Sequence, residues 1–372
     1  MKKFFAILLC ACTLLALVAC DFGGAETETT SATTTEPAEN ENPTTEAEYK
    51  LGMGVVVDME SSKAGTAQVD ATVAAVVLDA DGKIVVCRID VAQNKFDLAN
   101  DFGAEKTFKT KMELGDDYNM AKYGQNMDWN GDGVVKEWYD QAKAFEAYVV
   151  GMTAAQVKAI ETKVVEGAGY VIAADDALLS AGCTIQITDF IEAVAKACED
   201  EQGMSFKTAE KFTLGVAATT AVDSATKAAT AEENGTVAMY SDFAASVVAG
   251  GKIIATLNDA IQPKITVDAA GEIVEKSFTA TKRELKEGYN MATYGASMDP
   301  NGDGVVYEWY IQSETFSKHV VGMTADEVAA MGTAANSIGY QMSTDADLVA
   351  AGCTIQITAI KAVVAQSAKN AR

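Results

Sequence analysis

The stretch Trp129–Val157, WNGDGVVKEWYDQAKAFEAYVVGMTAAQV, returns as Pro300–Val328, PNGDGVVYEWYIQSETFSKHVVGMTADEV. The octapeptide AGCTIQIT likewise occurs at Ala181–Thr188 and at Ala351–Thr358. An offset of about 170 residues has the length of a domain, far beyond the roughly 20–50 residues of solenoid repeats. The chain therefore reads as two tandem copies of one fold, over 49–198 and 212–372, with a polar linker at 199–211.

Each copy opens with strand signals. Val73–Leu78 and Lys83–Val91 flank Asp79-Ala80-Asp81-Gly82, whose Asp-Gly supplies the positive-φ position of a tight hairpin turn. Ala244–Val248, Gly250-Gly251 and Lys252–Leu257 repeat the pattern, and a further turn is expected at Asp268-Ala269-Ala270-Gly271. The second half of each copy is helical. Trp138, Ala142, Phe145 and Val149 form one apolar stripe that Gly151 is placed to end. Thr153/Gln156 and Thr324/Glu327 have capping-box spacing. A last helix starts at Thr188 or Thr358 and is expected to pack Ile191, Val194 and Ala195, or Ile360, Val363 and Val364. Strands followed by helices predict an α+β class.

The N-terminus has Lys2 and Lys3, an apolar run from Phe4 to Val18, and then Leu17-Val18-Ala19-Cys20. This reads as a secretory signal over 1–20, too short for a spanning helix. The tetrapeptide resembles the lipobox of bacterial lipoproteins, which implies lipid on Cys20 and a membrane anchor on the extracytoplasmic face. Residues 21–48 are Thr, Glu, Ala, Asn and Pro with little to bury, and are expected to be a disordered tether.

The formal charge of −24 repels phosphate backbones and anionic headgroups, so nucleic acid is excluded as a partner and the membrane is met through the anchor alone. Cys183 and Cys353 sit in small apolar contexts and read as packed thiols. The sole histidine, His319, is matched by Tyr148, so the copies share no histidine-based triad or zinc site. A binding or electron-transfer module is expected rather than a catalyst.

Asp128, Asn130 and Asp132, with Gly133 following, have the oxygen-ligand spacing and sharp turn of a calcium loop, and Asp299, Asn301 and Asp303 with Gly304 repeat it. An EF-hand needs Glu at position 12. Here that position is Tyr139 or Tyr310, and Glu137 and Glu308, two residues earlier, are the candidate completing ligands. The same residues also fit a plain Asn/Gly/Asp turn before a helix.

The hairpin with its DGK or GGK turn, the EWYxQxxxF…VVGMT segment and the closing AGCTIQIT helix together resemble the FMN-binding domain family, which includes a subunit of the sodium-pumping NADH:quinone oxidoreductase and flavinylated surface lipoproteins. The resemblance implies an FMN cofactor, a redox partner or flavin transferase, and a phosphate-bearing threonine that maps onto Thr184 and Thr354, beside Gly182 and Gly352. The chain has Ala181 and Ala351 where the family's motif has serine, and Cys183 and Cys353 where it has alanine. Noncovalent flavin is therefore expected, with Thr184 and Thr354 near its phosphate at a helix start. Tyr118, Tyr123, Trp138 and Tyr139, with Tyr289, Tyr294, Trp309 and Tyr310, are candidates to stack on a flat ligand. Two functions follow: a lipid-anchored flavin- or small-ligand-binding protein with a role in extracellular electron transfer, or a calcium-stabilised surface interaction protein that has lost the cofactor.

Overall fold

A computed structural model describes residues 46–120, 122, 128, 131, 133–166, 169–291, 293, 299, 304–336 and 339–372. Cys20, the signal segment, most of the tether, Tyr123, Asn130, Asp132, Tyr294, Asn301 and Asp303 lie outside the described residues.

The expected hairpins are present. β2 (Thr66–Leu78) and β3 (Ile84–Asp97) pair antiparallel across the Asp79–Lys83 turn, and β8 (Gly235–Ala249) and β9 (Lys252–Ile261) pair across Gly250-Gly251. β1 (Ala47–Asp58) joins the first sheet and β7 (Phe212–Val222) the second. Within the segment expected as a linker, β6 (Met204–Thr208) is a strand paired with β1, giving the order β3-β2-β1-β6. The second sheet gains β10 (Lys264–Val267) and β11 (Ile273–Ser277), which flank the expected turn at Asp268–Gly271. All these sheets are antiparallel, consistent with an α+β fold.

Helices follow in the same order in both halves. α1 (Lys111–Leu114), α2 (Trp138–Tyr148), α3 (Ala154–Lys158), α4 (Asp176–Ser180) and α5 (Thr188–Cys198) occupy the first. α6 (Lys282–Leu285), α7 (Trp309–His319), α8 (Ala325–Ala329), α9 (Ala346–Ala350) and α10 (Thr358–Lys369) occupy the second. Short hairpins separate α3 from α4, as β4 (Thr162–Val164) with β5 (Val171–Ala173), and α8 from α9, as β12 (Thr333–Ala335) with β13 (Gln341–Ser343). Capping boxes begin α3 and α8, and Gly151 and Gly322, both at positive φ, donate their N–H to Ile84 and Ile253 at 2.7 Å, tying each helix end to its hairpin. In α5 the residue packed inward is Phe190; Ile191 is only partly buried, one position off the stripe.

Alternate residues of β2 enter different cores, as the pleat requires. Ala74 and Val76 pack under α2 and α5, whereas Val73, Ala75 and Val77 meet Leu214, Phe243, Ala245 and Val247 of the second sheet. On the far side Ala244 packs with Phe316 of α7 and Val363 of α10. The layers are thus helices, sheet, sheet and helices. The described residues from 46 onward lie in one compact unit in which both repeats share the central core. Helix approach is close because β1 and β7 carry glycine there: a Cβ on Gly52 or Gly54 would strike the Ala197 or Ala193 carbonyl of α5, and one on Gly215 the Ser367 carbonyl of α10. Ion pairs cross between the halves, among them Arg283 with Asp200 at 3.1 Å, Arg372 with Glu146 at 3.0 Å, Lys196 with Glu284 at 3.0 Å and Lys276 with Glu60 at 2.7 Å.

Candidate functional site

The AGCT turns lie between α4 and α5 and between α9 and α10. Gly182 and Gly352 hold φ of +90° and +96°, which an L side chain rarely adopts. A Cβ at Gly352 would also run into the Tyr307 ring. The turn delivers Thr184 and Thr354 into the interior. The Thr184 amide donates to Gln141 Oε1 at 2.8 Å and its hydroxyl lies 3.2 Å from the same oxygen; Thr354 repeats this on Gln312 at 2.7 and 3.2 Å. Each fully buried glutamine in turn donates to the backbone just before its helix, at Lys136 or Tyr307. The two threonines therefore latch turn to helix. Cys183 and Cys353 are buried beside them, and burial pushes both thiols up to about 12.

At the candidate calcium loops, Asp128 Oδ2 accepts from the Gly133 amide at 2.9 Å and Asp299 Oδ2 from the Gly304 amide at 2.8 Å. Glu137 and Glu308 precede α2 and α7 and each accepts from a backbone amide, Met120 at 2.9 Å and Met291 at 3.0 Å. Asp128 Oδ1 is buried without a hydrogen-bond partner. Among the described residues no three His, Cys, Asp or Glu side chains gather as a metal site.

Two cavities, each of about 290 Å³, open at matching places between sheet and helices. The first is lined by Lys111, Tyr118, Met120, Trp138, Tyr170 and Gln186, and the second by Lys282, Tyr289, Met291, Trp309, Tyr340 and Gln356. Both capping boxes that position the lysines, Thr110/Glu113 and Thr281/Glu284, are formed. The Lys111 ammonium lies 5.1 Å from the Tyr118 ring centre and 5.4 Å from Trp138; Lys282 lies 4.9 Å from Tyr289 and 5.2 Å from Trp309. A cation held over two ring faces keeps its charge at reduced hydration.

Carboxylates complete each lining. The first cavity has Asp58, Asp70 and Asp189, and the second Asp223 and Asp242. Burial raises the Asp70 carboxyl, against a hydrogen bond from Gln68 and the field of Lys111. Asp70 Oδ1 is buried and has no donor. Burial likewise pushes Asp242 up to about 6, with Lys282 pulling it back, and lowers Lys111 to about 8. Each cavity thus joins an aromatic wall, one ammonium and a partly desolvated carboxyl, the kind of environment that concentrates at binding sites.

The structure therefore brings Tyr118, Trp138, Tyr289 and Trp309 together at cavities and leaves Thr184, Thr354, Gly182 and Gly352 off their linings. Tyr139 and Tyr310 turn outward, donating to Asp116 at 3.0 Å and to Glu287 at 2.9 Å. Sequence reasoning missed Lys111, Lys282, Tyr170 and Tyr340. The signal was the recurring T-K-x-E at Thr110–Glu113 and Thr281–Glu284, at the same offset as the long match. Compared with protein-family models, with curated proteins and with solved structures, the chain matches none.

Proposed function

We propose that this is a small-ligand-binding protein, held by lipid on Cys20 at the extracytoplasmic face of a bacterial membrane, with one ring-binding pocket in each repeat. The observation that carries this is the recurrence of the Lys, Tyr, Trp, Tyr and Gln lining around two cavities of about 290 Å³. That volume is at the small end of ligand sites, roughly 300–1,000 Å³. Flavin, brought by the family resemblance, has a ring suited to such a wall. Its phosphate is less suited, because carboxylates outnumber the lysine in both linings and repel a group carrying about two negative charges. Riboflavin should therefore quench the emission of Trp138 and Trp309 at least as strongly as FMN. A chain whose emission is unchanged by riboflavin, FMN and phenylalanine would overturn the proposal.

A calcium-stabilised interaction protein is the second reading, favoured by the buried Asp128 Oδ1 that lacks a donor. Bound ion at a hundredfold excess over its Kd would add about 2.7 kcal/mol. Melting temperatures with calcium and with chelator should then differ by several degrees, and coincident melts would remove this reading.

A further inference from the structure

We infer that the ligand of each pocket is a small zwitterion bearing a ring, of the aromatic amino-acid class, with its carboxylate on Lys111 or Lys282 and its ammonium on Asp70 or Asp242. This rests on the ring-binding reading above and names the chemistry of its ligand. In the first pocket the Lys111 ammonium makes ring contacts but, among the described residues, no hydrogen bond and no ion pair. Asp70 lines the same cavity, and its Oδ1 is buried and receives no hydrogen. An unsatisfied donor group and an unsatisfied acceptor in one small cavity are each costly alone. One molecule carrying both complementary charges satisfies them together. A simple cation would leave the Lys111 ammonium without an acceptor, and a simple anion would face Asp58, Asp70 and Asp189.

The second pocket reaches the same composition by a different residue. Val73 pairs with Asp90, and Phe243 pairs with Asp259, whose hydrogen bonds match those of Asp90, so Asp70 corresponds to Tyr240 and Thr72 to Asp242. The acid has moved two residues along the strand, which keeps it on the same face. The lysine and an acid on that face are thus both present although the acid's position is not.

Calorimetric titration of the full chain with phenylalanine, phenethylamine and 3-phenylpropionate tests this. Phenylalanine should bind about tenfold or more tightly than either analogue, since each lacks one charge-assisted contact. Lys111→Met with Lys282→Met should abolish its advantage over phenethylamine, and Asp70→Asn with Asp242→Asn its advantage over 3-phenylpropionate. Lys111→Met alone should leave one site of unchanged affinity, which shows that the variant folds. If the three compounds bind alike, or none binds while riboflavin does, the zwitterion is wrong and the ring pocket stands. If riboflavin also fails to bind, the ring-binding reading itself falls.

Discussion

The two repeats handle the same buried position in opposite ways. Glu146 on α2 is buried and accepts from the Ile89 amide at 2.9 Å, with Arg372 at 3.0 Å and Arg88 at 3.6 Å around it. Its counterpart on α7 is Ser317, set in a neutral network in which Asn258 donates to Ser317 Oγ at 2.9 Å and accepts from Ser313 Oγ at 2.9 Å. Burial raises the Glu146 carboxyl, and the two guanidiniums oppose that shift. One backbone arrangement therefore accepts either a compensated charge or neutral hydroxyls. Half of the charged solution is expected to be costly, because it leaves a desolvated charge without its partner.

The largest effect should come from breaking that half. Glu146→Ala leaves two arginines beside an emptied site and should destabilise the chain by about 3–5 kcal/mol. Ser317→Ala removes one neutral hydrogen bond and should cost about 1 kcal/mol. Urea unfolding of the two variants measures the difference, and equal losses would show that Glu146 and its arginines are not acting as a buried ionic unit.

A second pair sharpens the comparison. Asp90 Oδ1 accepts from Val91 and Met112 amides, and Asp259 Oδ1 from Ala260 and Arg283 amides, so each starts a short helix. Burial pushes Asp90 up to about 7 but Asp259 only to about 6, because the guanidinium of Arg283 stands where the first repeat has Met112. A folded carboxyl raised above the ordinary 3.8 keeps its proton where the unfolded one has lost it. Its stabilising protonation is complete below the unfolded value and disappears as pH rises through the folded one. Unfolding free energy should accordingly fall between pH 5 and pH 8, by on the order of 3 kcal/mol, and Asp90→Asn should flatten the slope. Stability that is level or rising over that range would contradict these assignments.

The smallest effect is local. Met112→Arg places a guanidinium beside Asp90, as Arg283 stands beside Asp259, and should lower its titration midpoint by about one unit, toward that of Asp259. Carboxyl carbon resonances report the shift directly. An unmoved Asp90 would mean that burial alone separates the pair.

Local order was legible in the sequence where chemistry is local. Asp81-Gly82 and Gly250-Gly251 declared the hairpins, and the Thr153 and Thr324 boxes declared their helices. The shared core was less legible. Val73–Leu78 is buried throughout, the pattern of a strand covered on both faces, but a continuous apolar run does not say what covers it. β6 is five residues long and its partner is β1, far away in sequence. The pockets were the hardest, being assembled from β2, β3, α1, α2, the β4–β5 hairpin and α5. Thr184 illustrates why a motif was insufficient. A threonine in a glycine turn is compatible with facing a ligand or facing Gln141, and only the packed α2 decides between them.

The central claim is that both repeats hold a ring in equivalent pockets. Fluorine NMR of 5-fluorotryptophan-labelled chain addresses it, with the resonances of Trp138 and Trp309 assigned by Trp138→Phe and Trp309→Phe. Saturation with riboflavin or with phenylalanine is expected to shift both resonances, each shift surviving loss of the other tryptophan. Ligand binding that leaves both resonances unmoved, or shifts only one, would contradict it.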